Sequence, residues 1–73
     1  MFKSTRRRER QERMRAAMQE LGGLQARLES AYDLFNRTAD PELVEASILE
    51  ISALRSKYGC TLRQLKAMAR ETV

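Results

Sequence analysis

Apolar residues recur along this chain at alternating spacings of three and four. In the first half Met14, Ala17, Leu21, Leu24, Leu28, Ala31 and Phe35 form such a series, widened by Met18 and Tyr32. In the second half Val44, Ile48, Ile51, Arg55, Tyr58, Leu62, Leu65 and Ala69 form another, flanked by Leu54 and Met68. Period-two alternation, the mark of a half-buried strand, is absent. A three–four spacing is the seam of helices that pack along their length, so the pattern predicts two helices and no sheet. Arg55 is the one charged member of the second stripe, and its aliphatic stem still covers apolar surface.

The stretch between the stripes, "FNRTADPELVE" at residues 35–45, carries the signals of a corner. Asp40 is a natural N-cap, because its carboxylate accepts a bond from an orphan N–H of the next turn. Pro41 suits the first helical position, where no donor is needed. Proline also drives Ala39 out of the helical region, which ends the first helix. Glu42 and Glu45 face the positive end of the second helix dipole. We therefore expect an all-α antiparallel two-helix hairpin turning at Asp40-Pro41. A basic, partly frayed arm covers residues 1–13 and the hairpin covers 14–73, with helix one ending near 38 and helix two running from about 41 to 70. Folding about residues 39 and 40 sets residue i opposite residue 79 − i, which pairs Phe35 with Val44, Ala31 with Ile48, Leu28 with Ile51 and Met14 with Leu65.

That register brings Gly22, Gly23 and Gly59 to one level. A glycine inside a helix costs about 0.5–1 kcal/mol relative to alanine. Two readings stand side by side: room for the Tyr58 ring, or a hinge at which the open end of the hairpin bends.

Charge adds an asymmetry. Residues 1–15 carry seven basic groups against Glu9 and Glu12, while the rest of the chain is nearly neutral. Lys3, Arg6, Arg7, Arg10 and Arg13 fall on the face that continues Met14, Ala17 and Leu21. Helix two ends opposite the arm, so a solvated charged face is the simplest account. Phosphate binding is the functional alternative, with Lys3, Arg6, Arg7, Arg8, Arg10 and Arg13 as the contacts. No aromatic is interleaved to stack on bases, so any nucleic-acid contact is expected to be non-specific. A membrane surface is disfavoured, since Phe2 is the arm's one large apolar residue before Met14.

Catalytic chemistry finds few candidates. The chain has no histidine and one cysteine, Cys60, which excludes an internal disulfide and disfavours a zinc site. Cys60 lacks a base with an orienting partner and reads as a structural thiol. Glu29, Asp33, Glu45 and Glu50 are better explained by solvated helix faces than by a metal-binding carboxylate set. We expect no enzyme, no cofactor, no metal and no small-molecule substrate. The lone thiol and the lack of an apolar leader or spanning run suggest a cytoplasmic protein.

The stretch "AYDLFNRTADPELVEASILEISALRSKYGCTL" resembles the YaaL-like family of short uncharacterised proteins from Gram-positive bacteria. The residues that carry the resemblance are Ala31, Phe35, Asn36, Asp40 to Val44, Ile48, Glu50, Ala53 and Tyr58, followed by Leu62 and Lys66. The chain departs from the family's pattern at Gly59-Cys60, where such proteins are usually bulkier and aromatic. The resemblance implies a small helical protein without an established activity, and it names no catalytic residue.

Two helices cannot cover both sides of their apolar stripes, and at this length a lone core is marginal. Leu34, Leu43, Leu49 and Leu54 add apolar surface and are the expected oligomer contacts. The expectation is a structural or adaptor module that acts by helix packing. It pairs with itself as a homodimer, forming a four-helix bundle, or docks on another protein.

Overall fold

The computed structural model describes the backbone of residues 2–71 and the side chains of residues 5–70. Helix α1 runs from Phe2 to Arg37 and helix α2 from Pro41 to Glu71, and the two pack against each other as an antiparallel hairpin. The described residues contain no strand. The backbone of the basic arm is helical from Phe2 onward, so the arm forms the first turns of α1 and not a separate segment.

The corner is built as its residues dictate. The last helical turn of α1 closes with the Thr38 N–H donating to the Leu34 carbonyl at 3.0 Å. The Asp40 N–H donates to Thr38 Oγ1 at 3.2 Å, so a side chain satisfies a backbone donor inside the turn. Asp40 then caps α2: its Oδ1 accepts from the Glu42 N–H at 3.0 Å and its carbonyl from the Val44 N–H at 2.9 Å. Pro41 occupies the first helical position, where its missing donor costs nothing. On α1, Arg37 forms an exposed 2.9 Å ion pair with Asp33 one turn earlier, a contact worth a few tenths of a kcal/mol, roughly.

Burial gives the seam directly. With heptad positions lettered a to g, the a positions of α1 are Met14, Leu21, Leu28 and Phe35, and its d positions are Ala17, Leu24 and Ala31. All but Phe35 are buried or half-buried, as the apolar spacing predicts. In α2 the seam is different from the apolar stripe. Its a positions are Val44, Ile51, Tyr58 and Leu65, but its d positions are Ser47, Leu54, Thr61 and Met68. Every second member of the expected stripe is displaced by one residue: Ile48, Arg55 and Ala69 are exposed and Leu62 half-buried, all at e positions. Ile48 is 51% exposed, whereas Ser47 beside it is 2% exposed.

The physical reason is layer size. Ala31 and Ser47 fall at one level, Leu24 and Leu54 at the next, and Ala17 and Thr61 at the third. Small side chains at alternate layers let the helix axes approach closely, because interaxial distance follows the side chains at the contact. Large residues at those positions would hold the helices apart. Leu24, Ala31 and Leu54 form the buried cluster, with Leu28, Ile51 and Tyr58 packed against it.

The hairpin is a rod, 59 Å long and 14 Å across. Its radius of gyration is 16.9 Å, against roughly 11 Å for a compact domain of this length. Its accessible surface is 6122 Å², where a compact chain of this mass would expose roughly 4,600 Å². A single hairpin therefore leaves a large surplus of surface in water.

Candidate helix-packing surface

Two long faces flank the seam, and they differ in chemistry. The first holds the e positions of both helices. Tyr32, Phe35, Ile48, Ile51 and Arg55 line one open groove there, near the corner. One and two heptads from Tyr32 along the same row stand Gln25 and Met18; two heptads from Ile48 stands Leu62. The face thus carries one apolar cluster at Tyr32, Phe35 and Ile48, a polar waist at Gln25 and Arg55, and a second apolar cluster at Met18 and Leu62. Met18 is 61% exposed and Tyr32 41%.

The opposite face holds the g positions. Arg27, Leu34 and Glu50 border a shallow groove on this side. By register Glu20 faces Lys57 one level further on. Opposite charges alternate along this face, the pattern of a solvated flank. Leu34 and Leu43 expose a small apolar patch at its corner end, and Leu49 stands alone on the outer side of α2.

These positions revise the expected oligomer contacts. Leu34, Leu43 and Leu49 are exposed, but Leu49 stands on the outer side of α2, away from the face that Leu34 and Leu43 share. Leu54 is 2% exposed and lies at the centre of the intrachain core, so it is not available to a partner. Sequence reasoning missed Met18, Tyr32 and Ile48 as an outer surface because it counted them in the seam. The recurrence of Ser47, Leu54 and Thr61 at sevenfold spacing was the signal that would have separated the two.

The arm is partly tied to the fold. Arg7, Arg10, Gln11 and Met14 line a groove where the seam turns from apolar to basic. Arg10 is half-buried, while Arg6, Arg7, Arg8 and Arg13 are exposed. The Lys3 side chain lies outside the described residues.

The hairpin also sorts charge along its axis. Residues 25–54, the corner half, hold two basic and six acidic groups, a net −4. Residues 1–24 and 55–73, the open half, hold twelve basic and four acidic groups, a net +8. Folding has brought the basic end of α2 alongside the basic arm, an effect invisible in the linear chain. The acidic cluster Asp33, Asp40, Glu42 and Glu45 gathers at the corner.

Among the described residues no group of three or more His, Cys, Asp or Glu side chains is placed to hold a metal ion. Cys60 is exposed and free. No helix among the described residues is long and apolar enough to cross a membrane. Gly22, Gly23 and Gly59 all lack positive φ. A Cβ at Gly22 or Gly23 would meet nothing within 4 Å, so neither glycine makes room for Tyr58.

Comparison with protein-family models, with curated proteins and with solved structures gives no match, and lends the YaaL-like resemblance no support.

Proposed function

We propose that this chain is a non-enzymatic structural or adaptor module that works by helix packing. One observation carries the reading: Met18, Tyr32, Phe35 and Ile48 are large, apolar and exposed on one long face of an elongated hairpin. The cluster of Tyr32, Phe35 and Ile48 lines one groove, and exposed apolar patches of this kind mark interaction sites. The simplest occupant is a second hairpin, giving a four-helix bundle in which all four seams are covered. A reducing cytoplasm suits the free thiol of Cys60.

Sedimentation of the purified chain tests the proposal. A concentration-dependent dimer, lost on replacing Tyr32 and Ile48 by Ser, is the expected result. A folded monomer with no affinity for itself or for any helical partner would remove the proposal.

A second reading rests on the +8 open half, where Arg6, Arg7, Arg8 and Arg13 are exposed. It makes the chain a non-specific binder of nucleic-acid phosphates. Titration onto duplex and single strands over a range of salt distinguishes it: binding must fall steeply with salt and vanish when those four arginines become Ala.

A further inference from the structure

We infer that the second hairpin packs antiparallel to the first, with the e faces together and each acidic corner beside the partner's basic open end. The inference rests on the self-packing reading above and specifies its geometry.

Two independent features lead to it. The first is the spacing of the apolar clusters. Tyr32 lies fourteen residues from Met18, and Ile48 lies fourteen from Leu62. Turning one hairpin end over end about an axis through Gln25 and Arg55 sets Met18 on the partner's Tyr32 and Leu62 on the partner's Ile48. Each apolar cluster then covers the other, and the polar waists coincide.

The second feature is charge. In this arrangement Arg10 reaches the level of the partner's Asp40, and Arg8 lies just past the partner's corner. Glu45 falls opposite the partner's Lys66. The −4 half of each rod lies on residues 10–24 and 55–70 of the other, which hold eight basic and two acidic groups, a net +6. A parallel pair would stack +8 on +8 and −4 on −4 along its whole length. Opposed potentials of this size select orientation more strongly than they add affinity.

The dimensions are adequate. With the axis at Gln25 the two rods overlap over residues 10–40 of α1, roughly 45 Å at 1.5 Å per residue, and across a width of 14 Å that projects roughly 630 Å² per partner, at the lower end of a standard stable interface. One group opposes the arrangement. Arg55 meets the partner's Arg55 at the axis, and the pair is tolerable because each long stem lets its guanidinium turn outward to water.

Cross-linking of single-cysteine chains decides the matter. In a Cys60→Ser background, Met18→Cys chains are mixed with Tyr32→Cys chains, and separately with Leu62→Cys chains, then mildly oxidised. The antiparallel pair predicts a covalent dimer in the first mixture and none in the second. Like pairs stay apart, since residues fourteen apart on a helix are separated by about 21 Å. The parallel pair predicts the reverse. Raising salt from low to about 0.5 M, where exposed charges are screened beyond a few Å, should weaken the wild-type dimer about tenfold; Arg55→Leu should tighten it. A wild-type monomer overturns both the self-packing reading and this one. A wild-type dimer whose cross-links form only in the second mixture, or in neither, overturns the orientation alone.

Discussion

Ser47 is the sharpest test of the seam. Its side chain is 2% exposed, and its Oγ has no hydrogen-bond partner. A buried hydroxyl without a partner costs about 1–3 kcal/mol in lost hydration. Ser47→Ala removes that penalty, keeps the layer small against Ala31, and gains a few tenths of a kcal/mol in helix propensity, roughly. The net expectation is stabilisation of about 1–2 kcal/mol. In a chain of this size that is a rise of roughly 4–8 °C in midpoint per kcal/mol. Ser47→Leu has the opposite sign. It forces a large side chain between closely packed helices, which costs about 1–3 kcal/mol. The measurement is urea and thermal unfolding followed by circular dichroism, at several protein concentrations so that any dimer is accounted for. If Ser47→Leu stabilises and Ser47→Ala does not, the seam runs through Ile48 after all and the layer account is wrong.

The other expectations concern the same architecture. Leu54→Ala should cost about 2–5 kcal/mol, as buried leucines do, while Ile48→Ala should barely alter unfolding of the dilute hairpin yet weaken its self-association. Asp40→Ala removes the α2 cap and should lower stability by about 1 kcal/mol, read as a shifted urea midpoint with an unchanged slope. Gly22→Ala and Gly23→Ala place a methyl in open space and should each raise helix stability by up to about 1 kcal/mol. A loss at Gly23 would mean that some other surface approaches that position.

The corner was legible because each of its residues acts locally. Asp40 caps, Pro41 starts a helix and Ala39 is barred from continuing one, whatever lies elsewhere in the chain. Helix α1 was legible for a related reason, since its apolar and seam positions coincide. Helix α2 was not, because two rows compete there. Ile48 and Leu62 are the more apolar residues, but Ser47 and Thr61 are the smaller ones, and close approach of two helices selects size over hydropathy. Apolar periodicity alone cannot see that choice. The polarity of the rod was likewise hidden, since Arg55, Lys57, Arg63, Lys66 and Arg70 join the arm only after the chain doubles back. Thr38 was passed over because a turn hydroxyl reveals its role only through the geometry around it.

The doubled-back chain also sets the order in which contacts can form. Phe35 and Val44 are nine residues apart, whereas Met14 and Leu65 are separated by fifty-one. Loop closure costs more as the enclosed segment lengthens, so the first contacts are those nearest Asp40, and each layer formed shortens the search for the next. The hairpin should close like a zip from its corner. Substitutions at Thr38 and Asp40 should then slow folding, while equally destabilising ones near Met14 and Leu65 should hasten unfolding instead.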